Sequence, residues 1–219
     1  MPDLRSSYSA ADSVPPKLLL NDGIKTLSPV HVQWLPTNRC NLSCEFCSCS
    51  GEDHNLSMDI SQARSVILKF AELGCRAVTI TGGGEPLLHS DLPDMIRCFH
   101  SAGISVGLVT NGILLYRLDT DILSKIVWCR ISHSDDRQWT KEHQSTLRET
   151  VARGPEVDWA MSYVLTRHPN YETLRKVVRC ANDCNFTHVR VVANILDVQA
   201  VNIHRAKRCL SGIDSRVIY

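Results

Sequence analysis

AVTITGGGEPLLHSDLPDMIRCFHSAGISVGLVTNG, residues 77–112, carries the alternation that decides the fold. Ala77-Val78-Thr79-Ile80 is a short run rich in β-branched residues, reads as a strand, and ends in Thr81-Gly82-Gly83-Gly84. Leu92, Met95, Ile96 and Phe99 then recur at helical spacing behind a possible cap at Ser90, with Gly103 placed as the stop. Ile104 to Val109 reads as the next strand and closes in Thr110-Asn111-Gly112. A strand, a helix and a second strand make a parallel βαβ unit, because parallel neighbours need a crossover.

The same alternation extends in both directions. Upstream, Val30-His31-Val32-Gln33-Trp34 has the period-two spacing of a first strand, and a helix capped by Ser57 or Asp59 carries Ala63, Val66, Ile67 and Phe70, stopping at Gly74. Downstream come a short helix near 117–125, a strand over 127–132, a polar helix over 136–152 and a strand over 157–166. Asn170 can cap a helix bearing Leu174, Val177, Val178 and Ala181, and residues 188–193 read as a sixth strand. A closed eight-unit barrel takes about 250 residues. A chain of 219 residues therefore fits an α/β fold with a partial (β/α)6 TIM-like barrel of parallel strands. Residues 1–28, with Pro15-Pro16 and Asn21-Asp22-Gly23, read as an N-terminal arm, 29–194 as the barrel and 195–219 as a C-terminal helical segment. Function is expected at the carboxyl ends of the strands, where barrel active sites lie.

Composition narrows the classes. Hydrophobic residues at 43% and charged residues at 21% are ordinary for a globular domain. No apolar run approaches the roughly 20 residues that span a bilayer. The opening residues lack the pattern of an export signal, so a reducing cytoplasm is the expected setting. A net charge of +1 argues against an extensive nucleic-acid surface, while leaving a nucleotide or a modified base open. Ten cysteines in a reducing compartment point to metal binding or chemistry rather than disulfides.

Cys40-Asn41-Leu42-Ser43-Cys44-Glu45-Phe46-Cys47 follows the first strand directly. Thiolates spaced four and three residues apart can converge on one face of an iron–sulfur cubane. Such a cluster normally has four cysteine ligands, so three leave one iron open. A zinc site usually shows four Cys/His ligands in two pairs, and here His54 or Cys49 would have to complete it. A non-catalytic iron–sulfur or zinc-binding barrel is therefore the alternative to an enzyme. Cys180 and Cys184 continue an apolar helix face and read as core. His133, at a strand end, is the one histidine placed to reach a substrate pocket.

CxxxCxΦC with an aromatic at Φ resembles the signature of the radical S-adenosylmethionine (SAM) superfamily, and Phe46 fills that position. Gly83-Gly84-Glu85-Pro86, following Gly82, resembles the family's GGEP motif. Thr110-Asn111-Gly112 resembles its TNG, and Arg130-Ile131-Ser132 its RxS, although Ser134 stands where many relatives carry an aspartate and Asp135 and Asp136 come after it. The resemblance implies that Cys40, Cys44 and Cys47 hold a [4Fe–4S] cluster whose open iron chelates SAM. It further implies that Phe46 lies beside the adenine, that Gly82, Gly83, Gly84 and Glu85 cradle the amino group, and that Thr110, Asn111 and Ser132 lie near the cofactor. Val192 could pack on the adenine. The implied reaction is one-electron cleavage of SAM, fed by a reductase, flavodoxin or ferredoxin, to a 5′-deoxyadenosyl radical that takes hydrogen from a substrate C–H bond. The substrate itself is unknown, and the small chain leans toward a small molecule, nucleotide, modified base or amino-acid-like group. On this reading Gly84→Val spares iron and weakens SAM binding, because backbone must approach the ligand there.

Overall fold

The computed structural model describes residues 29–194, 203–212 and 217–218. The arm at 1–28 lies outside the described residues. Within them, seven strands form one all-parallel sheet in chain order: β1 (His31–Trp34), β2 (Ala77–Ile80), β3 (Ser105–Thr110), β4 (Ile126–Ser134), β5 (Asp158–Leu165), β6 (His188–Ala193) and β7 (Val217–Ile218). Strand order without reversal means that every crossover steps the same way, which curls the sheet into a partial barrel. The crossovers carry α1 (Ile60–Glu72), α2 (Leu92–Ser101), α3 (Thr120–Leu123), α4 (Lys141–Arg153), α5 (Tyr171–Asp183) and α6 (Ile203–Leu210).

Local chemistry sets the boundaries. The Asp59 carboxylate accepts from the Ser61 and Gln62 amides and starts α1, Asp119 caps α3, Thr140 caps α4 and Asn170 caps α5. Asp91, not Ser90, is the residue before α2, and its side chain makes no capping bond. Gly74 and Gly103 adopt φ of +86° and +73°, the left-handed turn that ends α1 and α2. The short helix expected over 117–125 is a 3-10 turn at Leu115–Arg117 followed by α3. The polar helix begins at Lys141 rather than 136, because residues 135–140 are taken up by a loop described below. The six expected strands gain β7, which pairs with β6 through Val189↔Val217 and Arg190↔Ile218. Within 195–219 the described residues form α6 and then β7, and a strand of two residues is too short for alternation to be read.

Strand parity divides the sheet. Trp34, Ile80, Leu108, Ile131, Met161 and Val191 are buried. Trp34 meets Phe99 of α2 and Phe70 of α1 edge-on, at 5.1 and 6.5 Å between ring centroids, so this parity faces the helices. The other parity carries Gln33, Thr79, Trp128, Arg130, Ser132 and Arg190 and faces the barrel lumen. A Cβ at Gly107 would lie 2.1 Å from the Trp128 ring, so that glycine lets the indole lie across the inner face of β3.

Candidate functional site

The cysteine loop leaves β1 and returns to α1 through a laced neck. Thr37 and Ser57 form an isolated bridge, with their hydroxyls 2.6 Å apart, and the Asn38 and Met58 amides donate to the Leu56 and Pro36 carbonyls. His54 Nδ1 lies 2.9 Å from the Asn38 carbonyl oxygen, where it donates to the neck rather than facing the thiols as a ligand. Within the loop the Cys47 amide donates to the Cys44 carbonyl at 3.1 Å, a tight turn that sets Phe46, half-buried, between the two cysteines. Cys40 is exposed, and Cys44 and Cys47 are half-buried. Burial, then the Asp136 carboxylate, push the Cys44 thiol up to about 11; Arg137 opposes this, while Cys40 and Cys47 add to it. The three thiols therefore lie within electrostatic reach of one another. Among the described residues, no three metal-ligating side chains stand together ready to hold an ion.

The glycine run meets this loop backbone to backbone. The Gly84 amide donates to the Thr37 carbonyl at 2.9 Å, and the Glu85 amide to that of Arg39 at 2.8 Å. A Cβ on Gly84 would sit 2.0 Å from the Arg39 carbonyl oxygen, and one on Gly83 2.0 Å from Asn38 Oδ1. A Cβ on Gly82 would strike the Gly84 carbonyl. None of the three has positive φ, so their need is space. What these glycines let approach in the folded chain is the neck of the cysteine loop.

Glu85 belongs to the same junction. Its side chain is 2% exposed and turned into the chain. Oε1 accepts from the Leu87 amide at 3.0 Å and the Thr110 hydroxyl at 2.7 Å, and Oε2 accepts from the Asn111 amide at 2.7 Å. Burial pushes its carboxyl up, and those three bonds and Arg137 pull it back. Asn111 continues the chain of contacts, since its Nδ2 donates to Asn41 Oδ1, inside the cysteine motif, at 2.7 Å. Gly112, at φ +81°, allows the turn after it. Glu85, Thr110 and Asn111 thus bind the cysteine loop, the glycine loop and the end of β3 into one body.

Ser132 stands on the lumen side of β4, and its carbonyl accepts from Arg137 Nη1 at 2.8 Å. No sequence motif singles out Arg137, which follows the two acids after this strand. It is half-buried, beside Cys44, Asp136, Glu85 and Cys40, and is the cation of the site. Asp135 is drawn elsewhere. It accepts from the Tyr163 hydroxyl (2.9 Å), the Thr166 amide (2.7 Å) and the Asn170 amide (2.9 Å), latching the β4 end to the loop after β5. Asp136 accepts from the Ser134 hydroxyl. Val192 is half-buried on the lumen parity of β6, opposite Val164. His133 lines a small cavity with Asn111, Gly112, Arg137 and Trp139. It points to the helix side, stacked on Tyr163 at 5.7 Å and edge-on to Trp139 at 5.0 Å, and its Nδ1 accepts from the Ser134 amide.

Residues 34–134, which include all three loops, match the model of the radical SAM superfamily. A probable GTP 3′,8-cyclase of Sulfurisphaera tokodaii is 40% identical over 111 residues, covering 48% of this chain and 35% of that protein. Another from Archaeoglobus fulgidus is 46% identical over 81 residues, covering 36% and 26%. The chain thus spans about a third or less of the curated relatives it matches. Among solved structures, Streptococcus suis SuiB bound to precursor peptide SuiA superposes with a TM-score of 0.68 at 15% identity, over 87% of this chain and 48% of that one. A histidine-tagged anSMEcpe with bound AdoMet superposes with a TM-score of 0.57 at 18% identity, over 76% and 52%. At such identities these two establish the fold alone, a parallel partial barrel. Residues 34–134 thus carry the match to the radical SAM superfamily, an enzyme superfamily whose cofactors are a [4Fe–4S] cluster and SAM.

Proposed function

We propose that this chain is the cofactor-binding barrel of an enzyme that cleaves SAM reductively and draws a hydrogen atom from a substrate C–H bond. The observation that carries the proposal is the hydrogen-bonded junction of three strand-end loops, with Glu85 holding Thr110 and Asn111, and Asn111 holding Asn41 of the cysteine motif. A barrel that used cysteines only to hold a structural ion would have no use for that junction.

The donor set suits the cluster. Cys40, Cys44 and Cys47 are soft thiols on one loop, Cys40 and Cys47 near enough to push the Cys44 thiol up, and Arg137 is a half-buried cation that favours the Cys44 thiolate. Their final convergence would come with binding, since metal binding and local ordering are coupled. When bound, the cluster and SAM supply the electron transfer and the hydrogen-abstracting radical. The protein's part is positioning. Arg137 spends one donor on the Ser132 carbonyl and keeps others for a carboxylate such as that of SAM. Ser132 and Val192, on the lumen face beneath the loops, would meet the nucleoside. Phe46, fixed by the Cys44–Cys47 turn, would flank the adenine.

The substrate falls among small molecules, nucleotides, modified bases and amino-acid-like groups, and the likeness to proteins named probable GTP 3′,8-cyclase favours a nucleotide. A flavodoxin, ferredoxin or reductase would supply electrons in the cytoplasm. Among the described residues no helix is long and apolar enough to cross a membrane. The test is anaerobic reconstitution with iron and sulfide, addition of SAM and reductant, and mass spectrometry of the products. 5′-Deoxyadenosine is expected. A stable cluster or bound zinc with intact SAM would turn the reading to a non-catalytic barrel.

A further inference from the structure

Behind the end of β4, on the side away from the lumen, a strand, two loops and a helix enclose a small cavity. His133 of β4, Asn111 and Gly112 after β3, Arg137 and Trp139 of the 135–140 loop, and His143 of α4 wall it; the rest of the wall is aliphatic. Its open volume, about 10 Å³ for the centre of a water-sized group, admits one such group. Among the described residues three buried side-chain nitrogens make no hydrogen bond: Trp34 Nε1, His133 Nε2 and Trp139 Nε1. Two of the three belong to this cavity. Buried polar atoms are rarely left unpaired, and two on one cavity point to an acceptor held between them.

Both nitrogens are donors. An indole nitrogen can only donate. His133 Nδ1 accepts from the Ser134 amide at 2.9 Å, so in the neutral ring the proton sits on Nε2. His133 is 2% exposed, and Trp139 packs edge-on against it. The charges that act on His133 are those of Arg137 and His143, both positive. No carboxylate stands in the wall. The acids beside Arg137 are engaged elsewhere, Asp136 with the Ser134 hydroxyl and Glu85 with its three donors. A water accepting from His133 and Trp139 would still have two protons of its own to place. The acceptors at hand already hold a donor each. Asn111 Oδ1 takes the Ile113 amide at 3.0 Å. The Gln138 carbonyl, which nears the His133 ring without bonding it, takes His143 Nδ1 at 3.2 Å. An anion has no proton to place and gains from the positive field.

We propose that this cavity binds one monatomic anion of chloride's class, held by His133 Nε2–H and Trp139 Nε1–H, with Arg137 and His143 supplying the opposing charge. Chloride is only slightly larger than a water, whereas phosphate, sulfate and carboxylates exceed the space. Arg137 and Trp139 follow the end of β4, and Asn111 and Gly112 the end of β3, so the ion ties two loops together behind the proposed cofactor site. Arg137 is then held by the anion on one side and by the Ser132 carbonyl on the other, which fixes its guanidinium at the strand ends. Halide binding itself does not depend on the cofactor reading.

The test has a solution arm and a crystal arm, both on the reconstituted full chain. The melting temperature should rise saturably with sodium chloride or bromide at constant ionic strength, and not with sodium gluconate, whose anion is too large to enter. Trp139→Phe keeps an aromatic ring and removes one donor. It should weaken chloride binding at least about tenfold, the scale of one lost hydrogen bond to a charge, and His133→Phe should do the same. Crystals grown in sodium bromide should show a bromine anomalous peak between His133 Nε2 and Trp139 Nε1, which locates the ion even if a variant does not fold. Equal melting curves in chloride and gluconate, or a saturable effect unchanged in Trp139→Phe, would overturn the proposal. So would density at that point without anomalous signal, the mark of a water. An anomalous peak with no chloride response in solution means binding at crystal concentration only, and overturns it as well.

Discussion

Glu85 shows at the scale of one residue how motif and role can differ. As a bare motif it is a carboxylate near a ligand; in the folded chain its oxygens take three donors, two of them from the end of β3. Hydrogen bonds to a buried charge are worth about 1.5–3 kcal/mol each. Glu85→Gln should therefore lower the unfolding free energy of the metal-free chain by about 2 kcal/mol in urea titration. An unchanged midpoint would place the carboxylate's role with the ligand instead. Gly84→Val should forfeit iron as well as SAM, since its Cβ meets the Arg39 backbone and must push the cysteine loop aside. Full iron content with only SAM affinity reduced would restore the ligand-cradle expectation. Cys40→Ala, Cys44→Ala and Cys47→Ala should each abolish the cluster's visible absorbance, while Cys49→Ala keeps it. The cysteine and glycine motifs were legible because their spacing is local. Glu85's partners were not, because they lie 25 and 26 residues away on a neighbouring strand.

The elements carry their own lesson in strand parity. Arg130 and Ser132 share the lumen face of β4, and His133 must then face the helices with Cys129 and Ile131. That parity was present in the sequence and puts His133 off the lumen face. What spacing could not supply was the Asp135 latch, whose donors come from 28 to 35 residues away, and which delays the start of α4 to Lys141. Helix caps were readable because they are local; the strand of two residues at Val217–Ile218 was below what any period can reveal. His133 makes a measurable claim of its own. Burial, then the charges of Arg137 and His143, push it down to about 3. With the folded value depressed below the unfolded one, the unfolded chain binds the extra proton between about pH 6.5 and 3. Stability is present above pH 6.5 and should fall by about 1.4 kcal/mol per unit as pH drops through that window. His133→Phe should flatten this slope in pH-dependent urea unfolding, and a slope equal to wild type would contradict the assignment.

Across the whole molecule, one end of the sheet collects the proposed chemistry and the other does not. The cysteine, glycine and Thr110-Asn111 loops all leave the carboxyl ends of β1, β2 and β3. Cys180 is buried on α5 and Cys184 caps the end of that helix, on the approach to the start of β6, so this pair sits at the opposite end of the strands. Their sulfurs share a hydrogen bond, which pulls the Cys184 thiol down. Cys75 is buried just before β2, and Cys129 is buried on the helix side of β4. No second thiol set among the described residues is therefore placed beside the first, and the reconstituted chain should hold about four irons, the content of one cubane. The most direct measurement is electron paramagnetic resonance of the reduced, reconstituted chain with and without SAM. One cluster signal, shifted in full by SAM, is the expected result. Two signals, or one signal indifferent to SAM, would contradict a single SAM-binding cluster at the strand ends.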